Sequence, residues 1–341
     1  MEGTAQPEPT PGILRAGVTT GIGSLPHTDP AAAAALSLEL TPGLPFAPQL
    51  PRRTPWEGMV AQWAGALPEV EVCPDGSVRV DPAATAGDPV PRFDPERHGG
   101  LLAFLDAAGR APDPPDRVKL QVVGPLTLAM ALVRAGMPVP AAFARSTLAV
   151  RAWVFALEEL AERALPGAGR LLLLDEPGLV AFAADDAPID NDAAVDHLSH
   201  ALAAVTGEAG VHVCGDGDVR IAFEAGPSVL AVPATPHLVG YASSMARHLD
   251  SGGWVLWGVI PTDGPIGETS ESHWRTLSGV WCELTRRGCE PGALRRRALV
   301  SPACGLAGHG ESQAVRALRL AAEVADRVGD QALAARLTLG A

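Results

Sequence analysis

Eight short apolar runs, spaced through the chain and separated by longer amphipathic stretches, are the strongest constraint on what this sequence can fold into. The runs are VTTGIGS (18 to 24), LPFAPQ (44 to 49), VKLQVVG (118 to 124), LLLLDEP (171 to 177), VHVCG (211 to 215), VLAVPA (229 to 234), WVLWGVI (254 to 260) and ALVSPAC (298 to 304). Runs of this length, continuous in apolar character and rich in β-branched residues, read as strands buried on both faces. The stretches between them are rich in alanine and leucine and carry helical periodicity, as at Ala31 to Leu40, Leu101 to Ala108, Ala141 to Leu165, Ala193 to Val205 and Gln313 to Val328. Strand and helix alternating eight times over 341 residues predict an α/β chain folded as a (β/α)8 TIM barrel, with an open doubly wound sheet as the alternative.

One segment interrupts the alternation. From Leu67 to Gly100 the sequence VEVCPDGSVRVD predicts a β-hairpin turning at Pro74, Asp75 and Gly76, followed by a proline-rich loop, so residues 67–100 are expected to be an insertion after the second strand. Residues 1–16 are expected to be a flexible tail and residues 17–341 a single catalytic domain.

Charge and composition narrow the function. A formal net charge of -13 disfavours nucleic acid and anionic membrane as main partners, because both require basic surface to displace counterions. No apolar run approaches the roughly 20 residues that span a bilayer, and the start MEGTAQPEPTPG has neither the basic nor the apolar region of an export signal, so a cytoplasmic location is expected. Five cysteines at irregular spacing do not make a disulfide framework, which leaves reduced thiols free to hold metal.

The polar residues fall at the ends of the apolar runs. Gly23 and Ser24, Gly124 and Pro125, Asp175, Glu176 and Pro177, His212 and Cys214, and Cys304 would all meet at the C-terminal mouth of a barrel, where such folds place their active sites. Side chains two apart on a strand point the same way, so His212 and Cys214 can grip one ion, although the pair taken alone favours core packing over metal. For Asp175, following four leucines, the expected burial argues against a solvated surface role. Cys73, Cys282 and Cys289 do not lie at run ends; the seven-residue spacing of Cys282 and Cys289 in a helical stretch predicts core packing for both.

With these residues assembled, the chain resembles the C-terminal catalytic barrel of cobalamin-independent methionine synthase, in particular its short, single-domain relatives. The motifs that carry the resemblance run in order along nearly the whole chain: TTGIGSLPHTDP (19 to 30), VVGPLTLA (122 to 129), LLLDEPGL (172 to 179), VHVCG, WGVIPT (257 to 262) and LVSPACGL (299 to 306). The barrel is also similar to that of uroporphyrinogen decarboxylase, which uses no metal. The first resemblance implies a catalytic Zn2+ held by His212, Cys214 and Cys304, and a small thiol substrate, homocysteine, activated as a zinc thiolate and methylated to methionine. It further implies that Ser24, with amides near Gly23, binds the substrate carboxylate, and that Asp175 binds its ammonium with Glu176 in support.

Three departures from the family pattern stand out. Pro233 occupies the position where the family has an acidic zinc ligand, so Asp263, His237, His309 or water is left to complete the shell. The stretch GVIPTDG lacks the family's proton-moving histidine, and Asp263 is the available substitute as a catalytic group. Where long enzymes place a glutamate after the second strand, this chain reads LPRRT, and Arg52 and Arg53 suggest an anionic group on substrate or donor. The half of the long enzymes that helps hold folate has no counterpart in the sequence, which leaves a methyl-folate or a methyl-corrinoid protein as the expected methyl donor. Two alternatives remain: a degenerate zinc- or thiol-binding barrel without turnover, and a metal-free decarboxylase or lyase.

Overall fold

The computed structural model describes residues 14–81, 83–184 and 186–339. Most of the tail expected over residues 1–16 lies outside them. Two strands, β1 (Val70–Val72) and β2 (Val78–Val80), pair antiparallel as a hairpin, and six more form one parallel sheet in chain order: β3 (Arg117–Val123), β4 (Gly169–Asp175), β5 (Glu208–His212), β6 (Val229–Pro233), β7 (Trp254–Ile260) and β8 (Ala298–Pro302). The hairpin closes where the turn residues predict, with Gly76 at φ 81° and its amide on Cys73 O, and Cys73 N–H on Ser77 O.

The expectation of eight regular strands needs correction. The first two apolar runs contribute only isolated parallel bridges, Thr19 with Val300, Ser24 with Gln49, and Phe46 with Lys119. Proline is the physical reason: Pro45, Pro48 and Pro302 have no N–H to give, so no ladder can propagate through them. Individual backbone bonds nevertheless run from β8 through both segments to β3. Thr20 N–H reaches Val300 O at 3.0 Å, Gln49 N–H reaches Gly23 O at 3.0 Å, Leu25 N–H reaches Gln49 O at 2.9 Å, and Ala47 N–H reaches Lys119 O at 2.9 Å. The parallel sheet is thereby curled, and its two edge strands face the same pair of irregular segments.

Helices cover the outer face of the sheet. Those spanning Pro30–Leu40, Pro95–Gly109, Val139–Ala164, Asn191–Leu202 and Glu311–Leu339 answer the predicted amphipathic stretches, most starting a few residues earlier than periodicity alone suggests. Capping explains part of the difference: Asp29, Asp94 and Asp190 accept hydrogen bonds from first-turn amides, and proline occupies the first turn of the first three helices named. Alternation along each strand then divides the core in two. Leu172 and Leu174 join the large cluster between sheet and helices, whereas Leu171, Leu173, Val229, Ala231, Leu256 and Leu299 join a small separate cluster with Ile22 and Leu44 inside the curl. That inner space is the lumen, and this cluster is its apolar floor.

The two helical cysteines are a second correction. Cys289 is buried, with its thiol on Ala242 O, but Cys282 is exposed. The helix that carries Cys282 ends at Arg286 and Gly288 turns the chain at φ 103°, so the two cysteines do not share one helical phase.

Candidate metal centre

The upper layer of the lumen is built by continuing the inward-facing positions past the apolar floor. On β4 the inward series Leu171, Leu173 ends in Asp175, which pairs in register with His212 at the end of β5. Cys214 follows His212 by two residues on the same face, and Cys304 follows Pro302, the last residue of β8. The Cys214 sulfur lies 3.0 Å from His212 Nε2 and 3.0 Å from the Cys304 sulfur, and the three ligand atoms fall within 4.8 Å of one another. Among the described residues no other group of three or more histidine, cysteine or acidic side chains is so placed.

One imidazole and two thiols converging at strand ends are a borderline-soft donor set of the kind that takes zinc. In a tetrahedral site with Zn–S near 2.3 Å the sulfurs stand about 3.5–3.8 Å apart, so the 3.0 Å contacts need to open by only several tenths of an ångström. The electrostatics suit a cation as well. The hydrogen bond between the two thiols holds Cys304 below the usual thiol range, against the effect of burial and with help from His212, while the same bond and burial push Cys214 far up. A divalent cation would leave both sulfurs ionised.

Asp175 is almost fully buried, and burial raises it to about 6 although His212 and Lys119 oppose the rise. Its Oδ1, like His212 Nδ1, has no hydrogen-bond partner among the described residues. Buried polar atoms without partners are costly and call for a ligand or water. Ser24 sits on the other side of the mouth, where the main chain at Leu306 donates to Ser24 O at 2.7 Å. A Cβ placed on Gly305 would come within 1.8 Å of Ser24 Oγ, so the hydroxyl lies directly against the residue after Cys304.

Other residues singled out in the sequence have different surroundings. Glu176 spends both carboxylate oxygens on the next helix, Pro125–Arg134, taking the Leu126 and Thr127 amides at 2.8 Å and the Thr127 hydroxyl at 2.6 Å. It caps that helix from a distance because Gly124 offers no side chain, and a Cβ there would meet the Glu176 carboxyl at 2.1 Å. Burial raises Glu176 to about 7, with the hydrogen bonds acting against it. Arg53 donates to Pro95 O and Glu96 O and lies 3.7 Å from Glu57, tying its loop to the helix Pro95–Gly109, while Arg52 is exposed. Asp263 is exposed in the loop after β7, His237 is exposed and packs on Tyr241, and His309 bonds to Thr262 O at 3.1 Å. None of these three joins the His212, Cys214 and Cys304 cluster.

Lys119 is the polar residue that pattern reading passed over. It sits on the lumen face of β3 opposite Leu171, fully buried, with its ammonium on Ile22 O and on Gln121 Oε1 at 3.0 Å. Burial lowers it to about 8, and Asp175 resists that fall. A lysine inside a run otherwise buried on both faces was the available signal.

The fold and this mouth define a barrel-type protein with a His-Cys-Cys pocket, and solved structures share the fold. A B12-independent methionine synthase from Shewanella sp. W3-18-1, solved in complex with selenomethionine, superposes with a TM-score of 0.64 over 94% of this chain and 100% of that chain, at 14% identity. A methyltransferase from Methanosarcina mazei gives 0.60 over 94% and 95% at 15% identity. A putative vitamin-B12 independent methionine synthase from Listeria monocytogenes gives 0.57 over 88% and 86% at 14% identity. No family model and no curated sequence matches the chain. At these identities the likeness is one of fold, extending over nearly the whole molecule. No helix among the described residues is long and apolar enough to cross a membrane.

Proposed function

We propose that this protein is a zinc-dependent methyltransferase that methylates a small thiol, homocysteine being the best fit, to give a thioether. The observation that carries the reading is the convergence of His212, Cys214 and Cys304 on one point at the mouth. When bound there, zinc would supply the Lewis acidity that keeps a thiol ionised at neutral pH. The fold neighbours support the choice of chemistry, since two are described as methionine synthases and the third as a methyltransferase.

The chain's own residues divide the remaining work. Asp175, with a buried oxygen lacking a partner, is placed to receive the substrate ammonium, a desolvated contact that orients the thiol toward the cysteines. Ser24, pressed against Gly305 beside Cys304, faces the same mouth and is suited to the substrate carboxylate. The apolar floor below offers water no polar partner among its own side chains. With Pro233 in β6 and no carboxylate in the cluster, the protein ligands bring two negative charges, which balance a divalent cation. The methyl donor would be a methyl-folate or a methyl-corrinoid protein docking over the mouth. Asp263, exposed at its rim, is then a candidate for proton traffic with solvent, and exposed Arg52 for a negatively charged group on the donor.

Elemental analysis of the purified protein beside Cys304→Ala tests the reading. About one zinc per chain in wild type and a large loss in the variant are expected. Transfer of a methyl group to homocysteine, assayed with methyl-folate and methyl-corrinoid donors, follows. A wild-type protein that stays zinc-free under reducing conditions would overturn the proposal.

A further inference from the structure

The irregular side of the lumen is held together by two side chains of β3. Between Thr20 and β8 the parallel ladder cannot continue past Val300, because the next amide in sequence to face this side belongs to Pro302. Beyond that point Ile22 O is taken by the Lys119 ammonium. The pairing of Lys119 with the second run likewise stops after two bonds, Lys119 N–H to Pro45 O at 2.7 Å and Ala47 N–H to Lys119 O at 2.9 Å. The next acceptor, Ala47 O, is taken at 2.8 Å by the side-chain amide of Gln121, which also accepts from Lys119. The same amide closes over Gly23, where a Cβ would sit 2.5 Å from its nitrogen at a φ of 147°. Gly23 and Ala47 flank the residues that carry Ser24 and its bridge partner Gln49.

We propose that Lys119 and Gln121 are positioning residues of the substrate site, whose side chains replace missing ladder hydrogen bonds and thereby hold Ser24 against the loop that carries Cys304. The inference rests on the assignment of Ser24 to the substrate carboxylate. A buried lysine is a costly way to satisfy two carbonyl-type oxygens, since a backbone amide would do so without desolvating a charge. What the lysine adds is reach: from the lumen face of β3 it spans to Ile22 O, one residue short of Gly23, on a segment to which β3 is not paired by any bridge. The three hydrogen bonds chain Ile22, Lys119, Gln121 and Ala47 together inside the barrel, where such bonds are strengthened by the low dielectric.

Hydrogen exchange on the intact zinc-loaded protein tests this directly, in Lys119→Met and, should that variant not fold, in Gln121→Leu. Exchange of the Leu25 and Gln49 amides is expected to accelerate by at least about tenfold while β4 to β7 keep wild-type protection. Calorimetric binding of methionine is expected to weaken by about tenfold or more, matching Ser24→Ala, and the double variant with Ser24→Ala should be no weaker than either single change within about twofold. Zinc content should be unchanged. Acceleration spread evenly over the whole sheet, or none at residues 22–25 and 47–49, would overturn the inference, because either result reduces Lys119 and Gln121 to general packing. If wild type binds neither methionine nor homocysteine, the thiol assignment fails, and the exchange pattern still decides whether the two side chains hold Ser24 in place.

Discussion

The floor and the mouth of the lumen are built on the same strands by the same alternation, yet they are opposite in chemistry. At the floor, the apolar side chains of Leu171, Leu173, Val229, Ala231, Leu256 and Leu299 pack into one cluster. One or two residues further along, the inward positions become Asp175, His212 and Cys214, and buried atoms at Asp175 and His212 have no protein partner. An apolar floor gains stability from burial, whereas an unsatisfied mouth loses some of it unless a ligand arrives. The difference teaches that stability and function are stacked along one axis, so each can be damaged without the other.

The largest effect should come from the mouth. Cys214→Ser is expected to lower zinc affinity by on the order of a thousandfold while leaving the unfolding of the metal-free chain nearly unchanged, which chelator competition and denaturation would read together. A change in metal-free stability as large as the change in affinity would break the division between the layers. Next comes the floor: Leu173→Ala should cost about 3 kcal/mol in denaturant unfolding and leave the zinc stoichiometry intact in the folded protein. Asp175→Asn sharpens the comparison within the mouth, since it should weaken amino-acid binding by roughly a hundredfold with zinc retained, separating substrate orientation from metal binding. Loss of zinc in that variant would instead assign Asp175 to His212.

A smaller effect, outside the lumen, serves as a control. His98 is buried among Trp63, Phe93 and Trp153, and burial lowers it to about 4 from an ordinary 6.5. The unfolded chain therefore binds a proton between these values that the folded chain does not. The stability His98 contributes is full above pH 6.5 and is lost as pH falls toward 4. Between pH 7 and pH 5 its share of the loss is about 2 kcal/mol. His98→Phe should flatten that part of the stability profile without altering zinc binding, and an unchanged profile would show that other groups control it.

Much of this architecture was legible in the order of residues. Apolar runs and amphipathic stretches marked the six sheet strands and the covering helices, because burial on two faces or one leaves a periodic trace. His212, Cys214 and Cys304 were legible as a set through their positions at run ends and through the resemblance, although Cys214 and Cys304 are 90 residues apart. The first two runs misled the reading because hydrophobicity does not report whether an amide is available, and Pro45, Pro48 and Pro302 withhold theirs. Glu176 looked like a substrate ligand beside Asp175, and only the position of Gly124 and the next helix showed where its oxygens are spent.

By itself, then, the sequence determined the alternation of strand and helix, the hairpin at Gly76, and which residues reach the strand ends, since these follow from local periodicity and turn chemistry. The tertiary structure decided what those residues meet. It curled the sheet so that β5 and β8 bring Cys214 and Cys304 to 3.0 Å, and it set Lys119 as the tie from β3 to Ile22 O on the first irregular segment. Closing distances across a lumen depends on the twist and curl of the whole sheet, a property that no single stretch of residues encodes.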